Sequence, residues 1–162
     1  MKSLVIYASR SGNTHRIAEA IADGLRALGP VSVTLADDVT TSVPKETDLL
    51  VIGGPTEAHG MTPPMVDLLD RLEPGAVAGM TAAAFDTRLR WPLLLSGSAG
   101  ARIAARLVKA GARVIAPEES FFVTRQPVLE DGELERAKAW GATIGAKIAA
   151  GARAEPVGSS AG

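Results

Sequence analysis

Apolar runs of strand length alternate along the chain with stretches in which apolar residues recur every three or four positions, the pattern of repeated βαβ units around a parallel sheet. The runs are Ser3–Ala8, "VSVTLA" from Val31, Asp48–Gly54 ("DLLVIGG"), "TAAAFDT" from Thr81, and "ARVIA" from Ala112 with "ESFFVT" close behind as its extension. The first and third are almost continuously apolar, as expected of interior strands covered on both faces. The second alternates Val31, Val33 and Leu35 with Ser32 and Thr34, which suits an edge. These features predict a three-layer α/β sandwich whose five-stranded parallel sheet has the order 2-1-3-4-5, with helices on both faces.

The intervening stretches carry their own start and stop signals. Ile17, Ile21, Leu25 and Leu28 form one apolar stripe, ended by Gly29 and Pro30. Thr62 stands where it can cap a second helix, with Pro63 in the first turn and Met65, Leu68, Leu69 and Leu72 on the inner face. A third helix is expected from about Ser98 to Ala110, stopped by Gly111. The last is expected to start near Asp131 and to turn Leu134, Ala137, Gly141, Ile144 and Ile148 inward. Residues 1–150 then form one domain, and residues 151–162, rich in Gly, Ser and Pro, read as a loose tail.

Composition narrows the functions open to such a domain. A chain of 162 residues buries enough surface to fold without metal or disulfide, and it has no Cys, which removes thiolate chemistry and Cys-based zinc sites. A reducing, cytoplasmic setting is expected. The first apolar run is too short to cross a bilayer, and no small-residue cleavage pattern follows it. A net charge of −1 provides no global field for nucleic acid or an anionic membrane, so neither is expected as a partner.

In a sheet of this order, ligands bind beyond the carboxyl ends of the strands where the order reverses, here between strands one and three. The segments at those ends are "SRSGNT" (Ser9, Arg10, Ser11, Gly12, Asn13, Thr14) and "GPTEAHGMTPP" (from Gly54). The first leads directly into a helix N-terminus, where unpaired N–H groups and the helix dipole favour an anion. Its small side chains let the backbone close around a phosphate while hydroxyls and the Asn13 amide add donors. In the simpler alternative, Ser11 caps the helix and Gly12 makes the turn. The chain has no G-x-x-x-x-G-K-[ST] and no G-x-G-x-x-G after strand one, and Gly53, Gly54 and Pro55 stand where a receiver domain would need an Asp.

On these residues the chain resembles the flavodoxin family, from about Lys2 to Ile148. "SRSGNT" is similar to the family's phosphate loop, and "GGPTEAHGM" to the loop that lines the isoalloxazine ring in flavodoxins and flavodoxin-like quinone oxidoreductases. The resemblance implies FMN as cofactor. It implies a phosphate anchor at Ser9–Thr14, and ring contacts drawn from Pro55, Thr56, Glu57, Ala58, His59, Gly60, Asp86, Thr87, Arg88 and Trp91. No catalytic side chain and no metal ligand are implied, because the flavin does the chemistry.

The chain departs from the family pattern at Ala58, where relatives commonly place a stacking aromatic; Trp91, in "DTRLRWPLLLSG", is the substitute to expect. Trp140 reads as packing on the last helix. Met61 reads as a filler at the start of helix two that could also slide beneath a flavin. His59 could bond the ring edge and Glu57 accept from a ring nitrogen. Arg10, His59, Arg88 and Arg90 outnumber Glu57 and Asp86, whereas typical flavodoxins are acidic around the ring, so the second reduction step is expected to be easier here. The resemblance implies an electron carrier serving a redox partner protein or a small-molecule acceptor. Two alternatives are a small NAD(P)H-dependent quinone or nitro reductase, and a flavodoxin-like domain that has lost flavin and acts through partners.

Overall fold

Each apolar run becomes a strand and each periodic stretch a helix. The computed structural model describes residues 1–154 apart from Thr41, His59 and Glu73. The strands are β1 (Ser3–Tyr7), β2 (Val31–Leu35), β3 (Leu49–Pro55), β4 (Thr81–Leu89), β5 (Arg113–Val114) and β6 (Glu119–Val123). The helices are α1 (Asn13–Leu25), α2 (Pro63–Arg71), α3 (Leu93–Ser96), α4 (Ala99–Lys109) and α5 (Glu133–Ala154). All ladders are parallel, in the order β2-β1-β3-β4-β5. β6 also pairs with β4, opposite Phe85–Leu89, while β5 pairs with Thr81 and Ala82. The fifth strand is therefore one interrupted strand in two pieces, consistent with the expected extension.

Burial follows the sequence pattern. Leu49, Leu50, Val51 and Ile52 are all fully buried, as an interior strand requires, whereas no residue of β2 is. Alternation along β1 and β3 divides the core by face. Ile6, Leu50 and Ile52 join Met65 and Leu68 of α2 and Ile103 and Leu107 of α4. Val5, Leu49, Val51 and Phe85 join Ile17, Ile21 and Leu25 of α1 and Ile144 of α5. Each such fully buried side chain contributes about 1.5–3 kcal/mol of transfer free energy. Trp140 closes the second cluster edge-on against Phe85 and Phe121, at 6.5 and 6.2 Å, and so packs as expected. Gly53 is required inside β3 because the Phe85 ring fills the space a side chain would need.

Boundaries differ in informative places. β4 runs two residues past Thr87, so Arg88 belongs to the strand and not to the loop after it. Thr62 does precede α2, but its hydroxyl makes no capping bond and is buried without a partner. Ser98 caps α4 as expected, accepting from Ala101 N at 3.0 Å. α5 continues through 151–154, into the stretch read as tail, and residues 155–162 lie outside the described residues.

Candidate functional site

The C-terminal ends of β1, β3 and β4 bring three loops to one rim. After β1, Gly12 adopts φ 86°, and a Cβ there would meet nothing within 4 Å, so conformation and not crowding demands glycine. Gly12 precedes α1, and the expected Ser11 cap is absent: no side chain caps this helix. The Ser9 hydroxyl instead accepts from Gly12 N at 3.0 Å, and the Ser11 hydroxyl accepts from the Asn13 amide at 3.0 Å. The first intrahelical bond here runs from Arg16 N to Gly12 O, which leaves the N–H groups of Asn13, Thr14 and His15 without an intrahelical acceptor. Such a turn, with small side chains and unpaired N–H groups, fits a phosphate.

Two side chains brace this loop from below. Asn13, 7% exposed, donates to Pro127 O at 2.7 Å and so ties the loop to the segment after β6. The hydroxyls of Thr14 and Thr87, both buried, share a hydrogen bond of 2.8 Å that joins α1 to β4. His15 stacks on Tyr7 with centroids 4.9 Å apart and lies 3.6 Å from Glu19, which explains an imidazole at this helix start. Tyr7 has its pKa raised, first by desolvation and then by Glu19 and Asp38.

After β3, Glu57 and Gly60 exchange backbone bonds of 2.9 and 2.7 Å around a tight turn. Ala58 sits in it at φ 42°, a left-handed conformation that favours glycine. The Glu57 carboxylate pairs with Arg10 at 3.1 Å, bridging the first loop to the second. His59 lies outside the described residues.

Asp86 organises the third side. It is 0% exposed, and Oδ2 accepts from Ser98 Oγ at 2.7 Å, Gly100 N at 3.0 Å and Thr56 Oγ1 at 3.1 Å, while Oδ1 has no partner. Thr56 Oγ1 also accepts from Ala99 N at 2.9 Å. One buried carboxylate thus holds the loop after β3 against the start of α4. The Asp within "AAAFDT" stands out in an apolar strand, because a buried carboxylate needs several donors, and the fold supplies them from two other segments.

Between the loop after β3 and the chain leaving β4 lies a recess of about 200 Å³ lined by Thr56, Ala58, Arg88, Leu89, Trp91, Leu95 and Ser96. Trp91 is 44% exposed, with the Arg125 guanidinium 5.4 Å from its ring centroid. Arg88 donates to Ser120 Oγ at 3.0 Å and to Trp91 O at 2.9 Å, which fixes the course of the chain leaving β4. A larger recess of about 390 Å³ lies between the ends of α2 and α4, lined among others by Asp70, Arg106 and Lys109. It is away from the strand ends, and Arg106 there is paired with Asp70.

Two of the four cations expected near the ring are paired with carboxylates. Arg10 is neutralised by Glu57, and Arg90 lies 2.8 Å from Glu130 and 4.0 Å above the Phe122 ring. Behind Phe122, the buried Glu133 accepts from Phe122 N at 2.7 Å and from Arg136 at 2.6 Å. Burial alone would raise the Glu133 pKa, but these bonds bring it below the ordinary carboxylate value. Sequence reasoning did not find this cluster or the bond to Pro127, since both depend on side chains brought together from distant segments. Met61 is partly buried and packs against the core.

Comparison with known proteins agrees with this geometry. A family profile described as flavodoxin matches residues 5–87, just over half of the chain. A flavodoxin of Aquifex aeolicus (strain VF5) is 34% identical over 95 residues, covering 56% of this chain and 51% of the relative, so the match spans about half of that protein's length. A flavodoxin from the domain Archaea superposes with a TM-score of 0.75 at 27% identity, covering 92% of this chain and 99% of the other. Oxidised Flavodoxin 1 from Bacillus cereus does so with a TM-score of 0.74 at 26% identity, over 88% and 95% of the two chains.

Proposed function

The chain belongs to the flavodoxin family, and from that premise we propose that it holds FMN non-covalently at this rim and carries electrons for a redox partner protein or a small-molecule acceptor. The observation that carries the reading is the uncapped turn at Gly12, whose unpaired N–H groups stand at the carboxyl end of β1. The phosphate would be held by the backbone of 12–15 and the hydroxyls of Ser9, Ser11 and Thr14, with Asn13 fixing the loop from beneath. The ring would lie toward Thr56, Ala58, Arg88 and Trp91, with Pro55, Glu57 and Gly60 shaping the turn beside it.

When bound, FMN supplies the one- and two-electron chemistry. The protein's own groups bind, orient and shield. Trp91 offers a ring face for stacking, and Arg125 behind it holds that face in place. Asp86 and Thr87 act one layer down, Asp86 by holding Thr56 and the start of α4 and Thr87 by fixing Thr14. Arg88 has hydroxyl and carbonyl partners, so its charge at the recess is not offset by direct pairing with a carboxylate among the described residues. The absence of Cys supports a reducing location, the cytoplasm. Among the described residues no helix is long and apolar enough to cross a membrane.

The family match favours a carrier over an NAD(P)H-dependent reductase. The test is a visible absorption spectrum after incubation with FMN and gel filtration, followed by addition of NADH and NADPH in air. The expected result is a flavin band that co-elutes with the protein, with no turnover of either nucleotide. A colourless protein would favour the domain that has lost its flavin, and steady nucleotide oxidation would favour the reductase.

A further inference from the structure

The chain leaving β4 exposes Trp91, Leu93, Leu94 and Leu95 at 44, 57, 96 and 60%. α3 thus presents three consecutive leucines to solvent beside the recess, since Trp91 and Leu95 also line it. Scattered apolar side chains on a surface need no explanation, but a contiguous patch at the mouth of a site marks an interaction surface.

The charges around the patch indicate what fits it. Three carboxylates near the patch are engaged or hidden: Glu57 pairs with Arg10, Glu130 pairs with Arg90, and Asp86 is buried. Near the patch, the guanidiniums of Arg88, Arg125 and Arg102 have no carboxylate within ion-pair distance among the described residues. Arg88 holds the Trp91 carbonyl and Arg125 covers the Trp91 ring. Arg102 lies beside Gly60, where a Cβ would be 3.7 Å from its guanidinium carbon. The patch is therefore apolar at its centre and cationic around it.

We infer that the Trp91–Leu95 surface is the docking face for a redox protein whose own contact face is apolar at its centre and acidic at its rim. The inference rests on the FMN reading, since it places electron exchange at the mouth of the flavin recess. Docking there brings the partner against Trp91 and Leu95, which are exposed and also line the recess. In the exchange, the reduced redox protein would lose one electron and the FMN held at the recess would gain it.

Leu94 is suited to testing this because it is the most exposed of the four and does not line the recess. Leu94→Glu and Leu94→Lys remove the same apolar side chain and differ only in the charge they introduce. The probe is a reduced, strongly acidic [2Fe–2S] ferredoxin mixed with FMN-loaded protein in stopped flow. The wild-type bimolecular rate should fall with rising ionic strength, and at low salt Leu94→Glu should be at least about tenfold slower than Leu94→Lys. The gap should close toward 1 M salt, where the Debye length is about 3 Å. FMN affinity, measured on the same preparations, should be equal in both variants. Equal ferredoxin rates for the two variants, or a wild-type rate that rises with salt, would overturn the docking inference alone. So would a wild-type dimer in the analytical ultracentrifuge that Leu94→Glu dissociates, since the patch would then serve a second copy of the chain. A wild-type protein that takes up no flavin would overturn the functional reading, and the docking inference with it.

Discussion

The loop after β1 and the wall formed by the chain around β4 border the same rim and are built in different ways. On the first side, polar side chains are buried and used: Asn13 and Thr14 are 7% and 2% exposed and fix the turn to Pro127 and Thr87. On the second, Trp91 and three leucines stand in solvent, Ala58 occupies a left-handed conformation, and order depends on one buried carboxylate and a set of arginines. Loops carry function when a rigid scaffold positions them, and in the proposed reading the rigid part would hold the phosphate and the open part would face the ring. The contrast suits a carrier, in which the cofactor is held by its non-reacting end while the reacting end stays within reach of a partner.

The largest expected effect comes from breaking the brace of the open side. In Asp86→Ala, Ser98 Oγ, Gly100 N and Thr56 Oγ1 lose their acceptor in a buried setting, at a cost of about 3 kcal/mol of stability. Urea denaturation measures this. If Asp86 serves only the ring side, FMN and riboflavin affinities should fall by the same factor in this variant.

Trp91→Ala tests the ring side directly. Lost burial and stacking should weaken FMN and riboflavin alike by about 1–3 kcal/mol, and quenching of tryptophan fluorescence on binding should diminish. Unchanged dissociation constants would reduce Trp91 to a packing residue of its loop.

A smaller effect is expected from acid. The folded-state pKa of Glu133 lies below its unfolded value of about 4.3, so its bonds to Phe122 N and Arg136 stabilise the fold fully above that value. This stability is lost as pH falls through the depressed folded value. Glu133→Gln should therefore have a flatter stability profile below about pH 4.3 than the wild type, in urea titrations across pH 3–6. The smallest effect is a gain: Ala58→Gly relieves the left-handed φ and should stabilise the fold by up to about 1 kcal/mol, visible as a rise in Tm.

Legibility in the sequence followed the type of interaction. The strand order could be read because burial on two faces writes continuous apolar runs, as in Leu49–Ile52, while the edge strand β2 keeps Ser32 and Thr34. The Ser9–Thr14 loop was legible because a turn, small hydroxyl residues and a helix start coincide within six positions. The balance of charge was not. Composition counts Arg10 and Arg90 as free, but Glu130 is 40 residues from Arg90 and only the fold brings them together. Asp86 was visible as an anomaly in "AAAFDT", yet its partners Thr56, Ser98 and Gly100 come from two other segments, so its role as a brace required the structure.

The central claim is that the rigid side anchors the phosphate, and it is tested most directly by titrating the flavin-free protein with FMN and with riboflavin, followed by quenching of flavin fluorescence. Two or three charge-assisted hydrogen bonds to the phosphate, at about 1.5–3 kcal/mol each, predict that riboflavin binds at least about 100-fold more weakly. Equal affinities for the two flavins would contradict the assignment of the Ser9–Thr14 loop as the anchor.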